Sequence, residues 1–248
     1  MLDPMSSFEV KNIIKIDVFG FDISITNSAL FMLLVVGFIC VLFAIGTKDK
    51  GIVPSKLQII IEKLFFFTGG VVKGIIGNRA VEIFPYIISL FMFIMIGNIV
   101  GLFPFAFSFT SQLIVTLGMA IAVFIASVII GFFNQGLRYF KHFCPEGVSI
   151  YMAPFFVIIE LMSFVFRPIS LGVRLFANMV AGHIMIKVIA GFAISLAGVT
   201  ALSFFSLIPI AINVLLNVFK LVVCMLQAYV FIMLSCIYLS ESLGESHS

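Results

Sequence analysis

The stretch FRPISLGVRLFANMVAGHIMIKVIAGF, residues 166–192, is apolar enough to lie in a membrane, yet it holds Arg167, Arg174, His183 and Lys187. An arginine at the centre of a membrane helix costs about 3 kcal/mol on insertion scales and more than ~10 kcal/mol in simulations. Something must offset that cost, and a charge kept against it marks function. Seven residues turn a helix through about 700°, close to two whole turns. Glu160, Arg167 and Arg174 therefore share one stripe, with Ser163, Ser170, Ala177, Asn178 and Ala181 beside it. Arg174 has no acid three or four residues away, so its partner must come from elsewhere. The small neighbours let another helix come close. His183 follows Arg174 by nine residues, about half a turn out of phase, and Lys187 lies one turn further on the same side.

The rest of the chain agrees with a membrane setting. Of 248 residues, 62% are hydrophobic and 10% charged, and mean hydropathy is +1.29. Soluble domains are roughly half apolar and a quarter charged, so this composition predicts an integral membrane protein. A net charge of +3, thinly spread, offers no nucleic-acid patch. Cys40, Cys144, Cys224 and Cys236 lie far apart and read as small apolar packing residues. The N-terminus has acids from the start and no basic region before an apolar core, and so reads as neither a cleaved signal nor a transit peptide.

Periodicity and length predict an all-α membrane fold over 1–248, treated as one membrane domain. An N-terminal segment, 1–28, precedes a first span at 29–46. Segment 54–77 starts at Pro54 and mixes Lys56, Glu62, Lys63 and Lys73 with apolar residues, which predicts an interfacial helix. Spans at 84–105 and 113–133 form a hairpin, 84–133. Two segments of ~40 residues follow, about 150–192 and 200–240, each about twice the bilayer core if helical. They predict a long, steeply tilted hairpin, 150–240, beside three roughly upright spans. Lys48, Lys50, Lys56, Lys63, Lys73 and Arg79 in one link, and Arg138 and Lys141 in another, place both links on the inner side. The N-terminus then faces outward and the C-terminus inward. The last helix has a polar stripe of its own, Asn213, Asn217, Lys220, Cys224 and Gln227, and antiparallel pairing would bring Gln227 near Arg174.

SLGVRLFANMVAGH (170–183), with GNIVGLFPFAFSFTS (97–111), APFFVIIELMSFVFRP (153–168) and LQAYVFIMLSCIYLSES (226–242), resembles subunit a of the F-type ATP synthase over nearly the whole chain. DPMSSFE near the start resembles mitochondrial and α-proteobacterial members. The resemblance implies a stator that guides protons through two aqueous half-channels to the carboxylates of a rotating c-subunit ring. Arg174 matches the essential arginine that separates the half-channels. Asn178 and Gln227 match polar residues flanking it, Glu160 the acid near the inner exit, and His183 the intake-side position. Asn98, Ser170 and Asn217 join the implied proton path. Lys220 departs from the pattern, which has an acid or histidine there; the expectation is that His183 relays protons and Lys220 points toward water, headgroups or an acid of another subunit. The implied partners are the c ring, peripheral-stalk subunit b and other ATP synthase subunits, with protons and membrane lipids. No nucleic acid, cofactor or metal is implied. There is no GxxxxGK[ST] motif, so no nucleotide and no catalytic site are expected in this chain. The implied location is the mitochondrial inner membrane, with the inner membrane of an α-proteobacterium as the alternative. Two other classes compete: a secondary transporter or ion channel whose Arg174 binds an anion, and a non-conducting scaffold. Matching halves with broken helices, the mark of the transporter class, are not found.

Overall fold

The computed structural model describes residues 12–14, 17–18, 21–22, 24–46, 55–103, 107–136, 153–198 and 206–243. Among the described residues there are six α-helices: α1 (Asn27–Gly46), α2 (Lys56–Ile76), α3 (Ala80–Gly101), α4 (Leu113–Gln135), α5 (Ala153–Ala197) and α6 (Leu207–Leu243). All but α2 are long and apolar enough to cross a membrane, and the protein is an all-α integral membrane protein. Large apolar side chains face outward, among them Ile114 and Phe133, as a lipid solvent permits. Helices α1, α3 and α4, with 20, 22 and 23 residues, match the hydrocarbon thickness. Helix α5 has 45 residues and α6 has 37. At 1.5 Å per residue they are about 68 and 56 Å long, so an upright pose would push much of each out of the ~30 Å core.

Several boundaries differ from the sequence reading. Helix α2 starts at Lys56, where the Ser55 hydroxyl accepts the Gln58 amide at 3.3 Å, and ends where Gly77 takes φ 72°. Only glycine adopts that angle without a Cβ penalty. Helix α3 begins four residues before Phe84, because a 3₁₀ turn at Gly77–Arg79 leads straight into it and Glu82 supports its first turn. Pro85 therefore lies inside the helix rather than at its start. Four short strands, β1 (Asn12–Ile14), β2 (Asp17–Val18), β3 (Phe21–Asp22) and β4 (Ile25–Thr26), pair antiparallel as β1 with β4 and β2 with β3. The alternating IKIDV run carried that signal. Pro54, Lys48, Lys50, Arg138, Lys141 and Cys144 lie outside the described residues. Cys224 and Cys236 are buried as expected of packing residues, whereas Cys40 is exposed.

Contacts divide the described residues into two compact units, one within 1–44, 92–112 and 175–228, the other within 45–91, 113–174 and 229–248. In the first, Phe109 is fully buried beside Phe93, ring centres 5.2 Å apart, and lies over the bare Cα of Gly97. Met179 of α5 and Cys224 of α6 meet there, sulfur to sulfur at 3.8 Å. In the second, Leu171, Phe231, Ile232 and Leu239 are buried, and Phe124 of α4 stacks against Phe164 of α5 at 4.7 Å. Gly172 of α5 rests on the α4 backbone: a Cβ there would come within 3.0 Å of the Thr116 carbonyl oxygen and of Leu117 Cα.

Hydroxyls in these helices mostly turn back on their own backbone. Thr68, Ser127, Ser195, Ser235 and Ser242 each donate to a carbonyl three or four residues earlier, at 2.8–3.0 Å. This satisfies the hydroxyl where water is scarce.

Candidate functional site

Arg174 is exposed on α5, as are Ser163, Ser170, Ala177 and Ala181. The opposite side of the helix, at Leu171, Leu175 and Met179, is fully or almost fully buried. Among the described residues no hydrogen bond or ion pair reaches Arg174. An arginine carries five N–H donors and cannot lose its charge. Here they are presented on a helix face that also exposes Ser163, Ser170, Ala177 and Ala181.

The second arginine of the stripe is engaged. Arg167 donates through Nη1 to Glu241 Oε2 at 2.6 Å, and its Nη2 lies 3.7 Å from Glu160 Oε1. The Tyr238 ring sits 6.0 Å from the guanidinium carbon. Glu160 is thus a partner of Arg167, as its spacing allowed, but the looser one. Pro168 lies within helix α5, and the Arg167 guanidinium engages a carboxylate of α6. Glu241 was missed by sequence reasoning. It stands at the far end of α6, 74 residues from Arg167, and only the antiparallel run of α5 and α6 connects the two. Gln135 of α4 also escaped notice: its amide donates to the carbonyls of Glu241 and Ser242, both at 3.1 Å, and so caps the end of α6.

The other polar residues belong to the first unit. Asn98 is buried and donates to the Cys224 carbonyl at 3.4 Å, joining α3 to α6. Asn217 is exposed and bonds the Asn213 carbonyl of its own helix at 3.1 Å. Gln227 is 7% exposed, and Asn178 and His183 are half-buried. Asn98 Oδ1, Asn178 Nδ2, Asn213 Oδ1 and Gln227 Nε2 are buried with no hydrogen-bond partner among the described residues. Buried amides in a native fold are almost always bonded, often through ordered water, so these four atoms stand out. A mostly apolar groove of about 340 Å³ opens between Ala190, Ala193, Ile194 and Ala197 of α5 and Ile210, Asn213, Val214 and Asn217 of α6.

Lys220 corrects the sequence reading. It does not point outward: it is 5% exposed, and its stem lies over Gly182, where a Cβ would come within 2.8 Å of Lys220 Cε. The absence of a side chain at Gly182 leaves room for four methylenes, and burying that apolar stem draws the lysine into the α5–α6 seam. His183 is the next residue along α5 and is half-buried.

Comparison with known proteins places the chain in a family. The family description "ATP synthase A chain" fits residues 29–240. Proteins named ATP synthase subunit a from Mesorhizobium japonicum and Rhodospirillum rubrum are each 42% identical to this chain, over 247 and 244 residues. Those alignments cover 99% and 98% of this chain and 98% and 99% of the relatives. A third relative of that name, from Rhodopseudomonas palustris, is 42% identical over 249 residues, 100% of each chain. With a family match over most of its length and relatives aligned end to end, the chain belongs to the ATP synthase subunit a family.

Proposed function

We propose that this protein is the proton-conducting stator subunit of an F-type ATP synthase, and that it provides two half-channels separated by Arg174. The observation that carries the reading is the free, exposed guanidinium of Arg174 on a helix face of small residues. A carboxylate of a passing c-ring subunit is the anion it lacks, and such a pairing offsets the cost of a charge in lipid. The intake path uses His183, Asn178, Asn98, Gln227, Asn217 and the alanine-lined groove, with Lys220 as a fixed neighbour of the imidazole. Support comes from the buried amide atoms of Asn98, Asn178, Asn213 and Gln227, which have no hydrogen-bond partner among the described residues. The exit uses Glu160, whose carboxylate is 40% exposed and only loosely paired; Ser170 lies between Glu160 and Arg174 on the same face. Basic residues of α2 and its following turn, Lys56, Lys63, Lys73 and Arg79, favour the inner side for that end of the molecule. The long hairpin of α5 and α6 lies tilted against the ring, α2 lies at the interface, and subunit b and the remaining subunits hold the stator. The α-proteobacterial relatives favour a bacterial inner membrane; none of the relatives named here supports the mitochondrial expectation.

Proton flux through the purified complex in sealed vesicles tests the whole reading. Vesicles with the complex are expected to acidify on ATP addition, and a complex without proton movement would reduce the chain to a scaffold. The intake path has its own test. His183→Ala is expected to slow pumping by about 100-fold, the lower end for loss of a positioned proton-transfer group. In that background Lys220→Glu, which sets a carboxylate in the same seam, is expected to restore part of the rate. Wild-type pumping by His183→Ala would leave His183 a packed histidine and move the intake path elsewhere.

A further inference from the structure

We infer that Glu241 is a positioning residue for proton release: it holds the Arg167 guanidinium so that the Glu160 carboxylate stays free to exchange its proton. The inference rests on the reading of Glu160 as the acid of the inner exit. Arg167 stands between two carboxylates and treats them unequally, with 2.6 Å to Glu241 and 3.7 Å to Glu160. A charge-assisted bond at the first distance is strong, whereas the second is beyond hydrogen-bond range. The preference is enforced by the fold. Gln135 fixes the Glu241 and Ser242 carbonyls, Ser242 bonds the Tyr238 carbonyl, and Ser240 bonds the Ile75 carbonyl, so the end of α6 is pinned from α2 and α4. Arg167, Tyr238 and Glu241 line one narrow cleft of about 10 Å³ with Ser127, Phe124 and Phe164.

Glu160 and Arg167 are two turns apart on α5, close enough for a long guanidinium arm to close the remaining gap. Without Glu241, both arms of the fork become available to Glu160. A carboxylate gripped in that way must break two bonds each time it takes a proton. Glu241 therefore works by occupying Arg167, and no proton has to pass through it.

The test is ATP-driven proton pumping by inverted membrane vesicles holding the whole complex, normalised to the amount of this chain. Glu241→Gln is expected to slow pumping about tenfold, the equivalent of about 1.4 kcal/mol. Adding Arg167→Gln removes the grip, and the double variant is expected to pump several-fold faster than Glu241→Gln alone. A merely structural role predicts the reverse order, because the double variant breaks more contacts. Wild-type pumping by Glu241→Gln, a double variant no faster than the single one, or loss of the chain from the membrane in both would each overturn the inference. Glu160→Gln separates the two layers. Normal pumping there removes the exit reading and this inference with it, whereas slow pumping there beside an unaffected Glu241→Gln overturns this inference alone.

Discussion

Membranes carrying Arg174→Ala are expected to contain the assembled complex and to make no ATP from a proton gradient. Assembly survives because Arg174 is exposed and no hydrogen bond or ion pair holds it among the described residues. Its removal leaves no buried partner stranded, which is the usual source of a large stability loss. Under the proposed mechanism function does not survive, because there the barrier between the half-channels is the charge itself. With it gone, a ring carboxylate can stay protonated past the stator, and protons cross without turning the ring. Arg174→Lys is expected to fail largely as well: a compact ammonium lacks the rigid fork and holds water more tightly. ATP synthesis and passive proton leak, measured on the same vesicles, check both variants. Normal coupled synthesis in Arg174→Ala would end the assignment.

Gly172→Leu is expected to remove most of the chain from the membrane, the largest stability effect of any single change considered. The Thr116 carbonyl and Leu117 Cα stand 3.0 Å from where its Cβ would go, and both are backbone, so rotamer change cannot relieve the clash. Helices α4 and α5 would have to part, loosening the Phe124–Phe164 contact. Overpacking costs typically 1–3 kcal/mol, and Leu adds four carbons where even one does not fit. Gly172→Ala is the finer probe. It gains about 1 kcal/mol of helix propensity and loses more than that to the backbone contact, for a moderate net loss. Gly118→Ala, on α4 with nothing within 4 Å of its Cβ, keeps the propensity gain and is expected to be neutral or stabilising. Chain abundance and detergent melting temperature order the three variants.

The sequence made the helices easy to find and their partners hard. Apolar runs longer than a bilayer crossing announce themselves, so α1, α4, α5 and α6 lie close to where hydropathy put them. The start of α3 was missed because Pro85 looks like a helix opener, while the turn at Gly77–Arg79 that feeds the helix has no hydrophobic period. Arg174 was legible for a local reason, since the absence of an acid one turn away is written in the sequence. Arg167 was legible only in half. Glu160, on the same helix, could be paired by counting, but Glu241 is a neighbour only once α5 and α6 fold back on each other. Lys220 was misread because a lysine in a membrane segment is expected to reach for water. What Gly182 offers instead is a vacant strip of helix surface, and such a strip does not show in the type of the lysine itself.

The hydroxyl groups that bond back to their own helices bear on how the protein is made. A helix that has closed its hydrogen bonds internally can leave the insertion machinery alone and wait in lipid for its neighbours. Helices α1, α3 and α4 carry at most one charged side chain each, so they suit early, independent release. Helices α5 and α6 do not. Between them they hold Arg167, Arg174, Lys187, Lys220, Glu160 and Glu241, and the shortest ion pair joins one helix to the other. Neither helix is a comfortable lodger by itself, so the two are expected to be handed to the bilayer together, after synthesis of α6 is complete.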